Sequence, residues 1–155
     1  MITSPNMWSC LPCAFANALT DLGTPTTLED ILDFVGHDGS RILYPRREYG
    51  QIAFHTQEMV DYCYSIGYAV IEVIPFPLHD NGESEPQHTI MFKDTHQERL
   101  MKYLKKEDGV LIGQLTHGVR HAVSYVTNQI KCSSNGHVTF DNFAISHFEI
   151  LRKIK

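Results

Sequence analysis

The pattern of apolar residues changes along the chain, and this change most constrains the fold. As far as residue 106 the apolar residues mainly recur at helical spacing, which predicts helices over 11–22, 28–35, 56–66 and 95–106. YAVIEVI at 68–74 interrupts them and predicts a strand. The last third holds short runs with turn signals between them, which predicts strands: GVLIGQL, HAVSYVTNQIKC, HVTFD and HFEILRKI. Helices followed by a sheet predict an α+β fold, with a helical half packed on an antiparallel sheet.

Local signals mark where the predicted helices and strands begin and end. Thr27 and Asp30 have the spacing of a capping box, and Gly36 follows the last apolar residue of that helix. In the last third, we expect HAVSYV and HVTFD to form a hairpin. The polar, proline-containing stretch 75–87 and the basic stretch 37–53 predict irregular segments.

Length and composition limit the classes of protein to consider. The 155 residues predict a single domain, 1–155, and a net charge of −5 argues against a nucleic-acid partner. There is neither an apolar stretch of about 20 residues nor a signal peptide, so we expect a cytoplasmic protein with no membrane partner. In a reducing cytosol, the four cysteines are expected to be thiols. The sequence does not indicate an oligomeric state.

Cys10 has the sequence context of a nucleophile. Ser9-Cys10-Leu11-Pro12 places this thiol at the start of the first predicted helix. The free N–H groups and positive end of a helix favour the thiolate, which is the reactive form. A catalytic thiol also needs a base that accepts its proton and then protonates the leaving group.

His121 and Asp141 are the candidate partners of this thiol. His121 heads a predicted buried strand, and Asp141 ends the next one, HVTFD. The start of one hairpin strand lies beside the end of the next, so Asp141 is expected to reach the His121 ring and orient it. Asn142 is the alternative for that role.

Three short motifs resemble the papain-like cysteine peptidases, and the compact C39-like branch most of all. SCLPCAFANAL resembles the Cys-Gly-Pro-Ala-Ala pattern of that branch, RHAVSYV its His-Ala-Val strand and TFDNF its Asp-Pro ending. The Trp-Ser-Cys-Leu-Pro start is also similar to small C39-like proteins predicted in bacteriophage genomes.

The resemblance implies a papain-like fold and a thiol hydrolase that cleaves a peptide, isopeptide or amide bond. Its catalytic triad would be Cys10, His121 and Asp141, its partner a protein or peptide substrate and its location, if phage-encoded, the host cytoplasm. No cofactor or metal is expected. The family glutamine six residues before the nucleophile is Ser4 here, so Asn6 becomes the candidate oxyanion donor. Trp8 and Leu11, the latter in place of the family glycine, are candidate cleft residues.

Other interpretations of the same residues stay open. Papain itself places its nucleophile at the second cysteine of such a pair, which would select Cys13. Cys10, Cys13, His117 and His121 have zinc-ligand spacing and would form a structural site. CLPC also resembles a thioredoxin-like redox pair. Cys13, Cys63 and Cys132 are expected to be buried apolar residues.

Two further interpretations concern the surface and the loss of activity. Arg41, Arg46 and Arg47 lie among tyrosines and could bind an acidic partner, although a solvated loop is the simpler explanation. His37-Asp38 could line a cleft. The departures at Ser4 and Leu11 favour a papain-like scaffold of weak or absent activity that binds a partner protein, such as a host factor.

Overall fold

Helices come first along the chain, and most of the sheet follows. The computed structural model describes residues 9–36, 54–74, 94–116, 120–133 and 138–154. The helices are α1 (Cys10–Asp21), α2 (Leu28–Val35), α3 (Thr56–Ser65) and α4 (Asp94–Leu104). The strands are β1 (Tyr68–Val73), β2 (Gly109–Leu115), β3 (Arg120–Val126), β4 (Gln129–Lys131) and β5 (Phe143–Lys153). The predicted α+β class is therefore confirmed.

The five strands form one antiparallel sheet in the order β1-β5-β2-β3-β4. β5 is the longest strand and pairs with β1 on one side and with β2 on the other. β2 and β5 therefore lie inside the sheet, while β1 and β4 form its edges. The end of β2 and the starts of β3 and β5 meet at the same end of the sheet, because Gly113 pairs with both His121 and Ile145.

The predicted hairpin of HAVSYV with HVTFD is wrong. β3 instead turns directly into β4 through Thr127 and Asn128, which both have positive φ, 53° and 61°. Two left-handed residues make the tight turn that suits a two-residue hairpin. Of the predicted strand HVTFD, Val138 and Thr139 form no strand and Phe140 and Asp141 belong to a turn. The sequence lacks the usual Asn-Gly at Thr127-Asn128, so its pattern does not indicate that HAVSYVTNQIKC forms two strands.

α2 begins and ends as its sequence predicts. The Asp30 N–H donates to Thr27 Oγ1 at 3.1 Å, and the Thr27 N–H donates to Asp30 Oδ2 at 2.9 Å. Gly36 closes the helix in the left-handed region, with φ 70°. The predicted capping box is thus confirmed.

Replacing Thr27 by alanine should lower the free energy of unfolding by about 1 kcal/mol, because one N–H of the first turn loses its acceptor. Urea unfolding followed by circular dichroism would measure this loss. Asp33→Ala is the matched control, since Asp33 is exposed in the same helix and its side chain makes no cap hydrogen bond among the residues described. An equal loss in both variants would contradict the prediction.

Both faces of the sheet are covered by helices. On one face, residues of α1, α2 and α3 form one core cluster with Ala122 and Val126 of β3, and α1 is the helix that packs directly on β3. On the other, Leu100 and Leu104 of α4 pack against residues of β2, β3 and β5, including Val123. Side chains alternate between the faces of a strand, so β3 contributes to both cores. This arrangement fixes the start of α1 against β3.

Several sequence features lie outside the part of the chain that the structure describes. These are the basic cluster Arg41, Arg46 and Arg47, the His37-Asp38 pair, and the segment 75–87. Among the described helices, none has the length and apolar character needed to cross a membrane.

Candidate active site

Cys10 lies where the first turn of α1 meets strand β3. It is the first residue of the helix and is half-buried. Backbone hydrogen bonds from Ala122, from Leu11 and from Cys10 itself reach its thiol. β4 pairs with β3 only over Ser124–Val126, so the ladder stops short of Ala122. The thiol therefore occupies a position at the sheet edge that β4 does not cover.

Burial raises the pKa of the Cys10 thiol, against the direction expected from its place at a helix start. The backbone N–H groups of Ala122, Leu11 and Cys10 favour the thiolate, as the sequence predicts, but their effect is smaller than that of desolvation. The nearby Cys132 raises the pKa further. At neutral pH the thiol therefore keeps its proton, and a base must remove it during attack.

His121 is a neutral base. It directly precedes Ala122, the β3 residue whose backbone N–H reaches the Cys10 thiol. It is the second residue of the strand, lies opposite Gly113 and is half-buried. Burial lowers the pKa of its imidazole. A neutral imidazole has a lone pair that can accept a proton, so His121 is in the correct state to act as a base at neutral pH.

Cys132 contacts the His121 ring. His121 Nε2 and Cys132 Sγ are 2.9 Å apart. Cys132 directly follows β4, is half-buried, and packs against the α4 side of the sheet. The prediction of Cys132 as a buried apolar residue did not include this contact. The position of the turn at Thr127-Asn128 is what would predict it, because that turn sets the register of β3 and β4.

Ser133, the next residue, is 2% exposed, and its hydroxyl has no hydrogen-bond partner among the residues described. Such an orphan group costs free energy in a folded protein, and orphans often mark a functional position. It follows Cys132 directly, beyond the end of β4.

Asp141 lies in the exposed turn that precedes β5. In the same turn, the Asn142 carbonyl accepts from the Thr116 N–H at 3.1 Å, and Asn142 Oδ1 accepts from the Thr139 N–H at 2.9 Å. These bonds place the turn beside the end of β2, and β2 lies between β5 and the strand of His121. The structure thus brings Asp141 to the same end of the sheet as His121. Its role as third member of the triad stays a prediction.

The remaining candidates divide into buried, half-buried and undescribed residues. Cys13 and Cys63 are fully buried, as predicted, and burial raises the pKa of Cys63 to about 12. Leu11 is half-buried against the helix-side core, so its side chain serves packing as well as any cleft. Asn6 and Trp8 lie outside the described residues.

All four cysteines lie in the described part of the chain, and none forms a disulfide. Over those same residues, no three or more histidine, cysteine, aspartate or glutamate side chains are grouped to hold a metal ion. His117, one of the ligands considered for zinc, is outside the described ranges.

No protein-family model matches the chain, and none of the curated proteins matches it either. The function is therefore inferred from the geometry around Cys10 and His121 and from the sequence motifs.

Proposed function

We propose that the chain is a papain-like thiol hydrolase that cleaves a peptide, isopeptide or amide bond, with Cys10 as nucleophile and His121 as base. One observation carries the proposal: the Cys10 thiol accepts a backbone hydrogen bond from Ala122, the residue next to His121. The thiol thus meets β3 at the residue beside the base. Ala122 and His121 point to opposite faces of β3, so in the proposed reaction the imidazole reaches the thiol around the sheet edge that β4 leaves uncovered. Cys132 gives a second link, because it contacts the His121 ring and also affects the Cys10 pKa.

The proposed reaction is an acyl transfer in two halves. As Cys10 Sγ bonds to the substrate carbonyl carbon, its proton passes to His121, and the Cys10 N–H holds the oxyanion together with Asn6. His121 then protonates the amine as the C–N bond breaks, which leaves a thioester. A water molecule attacks that thioester, His121 takes the water proton, and Cys10 regains its thiol as the acid leaves. The resemblance implies Asp141 as the third member, but its side chain is exposed in the turn before β5.

A second candidate function is a papain-like scaffold that binds a partner protein without turnover. The raised pKa of Cys10 favours it, together with Ser4 and Leu11 at the positions of the family glutamine and glycine. Loss of an oxyanion donor lowers the rate by about 10²–10³. If the chain is phage-encoded, a host protein is the expected partner.

The first test measures the reactivity of Cys10. The protein is treated with limiting iodoacetamide between pH 5 and pH 9, and the labelled cysteine is identified by mass spectrometry. His121→Ala should slow labelling of Cys10 at pH 7 by about ten-fold or more, because a general base typically contributes at least that factor.

His147→Ala is the matched control for this test. His147 is also half-buried, and burial also lowers the pKa of its imidazole, but it lies on β5 next to Glu72. If both histidine variants change the Cys10 rate equally, the proposed pair is wrong.

Turnover separates the two candidate functions. Fluorescently labelled casein is incubated with wild type, Cys10→Ala and Cys13→Ala. The hydrolase proposal expects loss of cleavage in Cys10→Ala only, whereas full activity of that variant would exclude Cys10 as nucleophile. If the wild type cleaves nothing while partner binding survives in Cys10→Ala, the scaffold is favoured.

A further inference from the structure

We infer that Cys132 is the residue that orients His121, so that the catalytic arrangement is Cys10–His121–Cys132. This inference rests on the proposed function and gives Cys132 the place that the family resemblance assigns to an acid. Cys132 would not touch substrate. It is a positioning residue that acts through the imidazole.

The hairpin register brings these two side chains together. Ser124 pairs with Lys131 and Val126 with Gln129, so one more step along both strands puts Cys132 opposite Val123. His121 is two residues from Val123 and therefore on the same face, diagonal to Cys132. Diagonal neighbours across antiparallel strands are close enough for a long side chain to bridge. The distance of 2.9 Å between Nε2 and Sγ agrees with this placement.

The contact selects the form of the imidazole that the reaction needs. When Nε2–H donates to Cys132 Sγ, the proton sits on Nε2, and Nδ1 is the nitrogen that accepts the Cys10 proton. A fixed partner at one ring nitrogen thus sets both the tautomer and the rotation of the ring. Sulfur is a weaker acceptor than carboxylate. It therefore stabilises the imidazolium less than a carboxylate would, and burial separately lowers the pKa of His121.

Asp141 has the weaker placement for this role. Its side chain is exposed in the turn before β5, and the whole width of β2 separates that strand from β3. Neighbouring strands lie about 4.8 Å apart, so the two strand axes are roughly 10 Å apart. Water and salt also screen an exposed carboxylate, whereas Cys132 is half-buried.

The test compares Cys10 labelling by iodoacetamide at pH 7 in Cys132→Val, Cys132→Ser and Asp141→Ala. Valine fills the space without an acceptor, so labelling should slow by about ten-fold, as on loss of the base. Serine keeps an acceptor and should restore most of the rate. Asp141→Ala should stay within about two-fold of wild type, because an exposed charge contributes little. Melting temperatures of all variants check that the fold is retained.

Nitrogen spectra of ¹⁵N-histidine-labelled protein give a readout that packing alone would not move. Wild type and Cys132→Ser should show His121 with its proton on Nε2, and Cys132→Val should show a mixture of tautomers. An unchanged tautomer in Cys132→Val would overturn the inference. So would slow labelling in Asp141→Ala together with normal labelling in Cys132→Val, and in that case the proposed hydrolase survives. If His121→Ala leaves Cys10 labelling unchanged, the hydrolase proposal itself fails, and the tautomer spectra alone decide whether Cys132 holds His121.

Discussion

Glu149→Gln is expected to abolish a large part of the loss of stability that the wild-type protein undergoes between pH 5 and pH 8. Glu149 lies inside the sheet on β5, is 1% exposed, and pairs across the strands with Glu72. Burial raises the pKa of Glu149 to about 8, and the adjacent charge of Glu72 adds to this effect. Neither carboxyl oxygen of Glu149 accepts a hydrogen bond from a described residue. A protonated Glu149 can instead donate to Glu72.

The direction of the pH effect follows from the two pKa values of Glu149. In the unfolded chain the carboxyl group titrates near its ordinary value of 4.5, and in the folded protein near about 8. Between these values the folded state holds a proton that the unfolded state has released. The stabilisation is therefore complete below about pH 4.5 and is lost as the pH rises through about 8. The slope is about 1.4 kcal/mol per pH unit.

Urea unfolding of wild type and Glu149→Gln at pH 5, 6, 7 and 8 would measure this effect. Glutamine has a similar shape and no proton to release, so the difference between the two proteins should grow with pH in favour of the variant. Glu72→Gln is the control, because removing its charge lowers the pKa of Glu149 and ends the loss of stability at a lower pH. A difference that stays constant from pH 5 to pH 8 would show that Glu149 titrates normally.

This buried carboxyl group also bears on how the reactivity of Cys10 is measured. Labelling at pH 8 or above reports a protein in which half or more of Glu149 is deprotonated. Opening of a less stable fold would expose Cys10 to iodoacetamide whether or not His121 activates it. The same labelling series on the Glu149→Gln background separates chemical activation from exposure, because that variant should keep its stability at high pH.

The features set by local sequence were predictable, and the helix starts show why. Ser9-Cys10 begins α1, and the Thr27–Asp30 box begins α2, as their sequences indicate. The capping box depends only on two residues that are three apart in the chain, whereas Ser9 makes no side-chain cap hydrogen bond. The α+β class was predictable for a similar reason, because the spacing of apolar residues reports which faces of an element are buried.

The contact at His121 was not predictable in the same way, because it depends on strand register. A two-residue turn at Thr127-Asn128 decides which residue lies beside His121. The strand that follows β3 does end beside the start of β3, but that strand is β4 and not HVTFD. The residue that comes to lie beside His121 is therefore Cys132.

The buried position of Glu149 shows another limit of sequence reasoning. HFEILRKI alternates in a way that predicts a half-exposed strand, and a glutamate there is expected at the surface. Its burial arises because β5 lies between two other strands and helices cover both faces of the sheet. Strand order depends on contacts between distant parts of the chain, and no short window of sequence contains them.

Gly113→Ala is expected to be among the most damaging substitutions in the chain, because strand β2 has no room for a side chain there. Gly113 pairs with His121 on one side and with Ile145 on the other, at an irregularity in the ladder between β2 and β5. A methyl group on Gly113 would overlap the backbone oxygen of Ala144 and lie 2.9 Å from its carbonyl carbon. Backbone atoms cannot move aside as a flexible side chain can, so β5 must shift away.

Ser146 makes such a shift costly. It is fully buried and donates to the Ile112 carbonyl at 3.1 Å, which holds the irregular stretch of β5 against β2. We expect Gly113→Ala to lower the free energy of unfolding by about 3 kcal/mol or more. The control Gln129→Ala, exposed on β4, should cost less than about 0.5 kcal/mol. Because Gly113 lies opposite His121, any Gly113→Ala protein that still folds should also show slower labelling of Cys10. A loss below about 1 kcal/mol with normal labelling would mean that β5 can move aside, and that the position of His121 does not depend on this close approach.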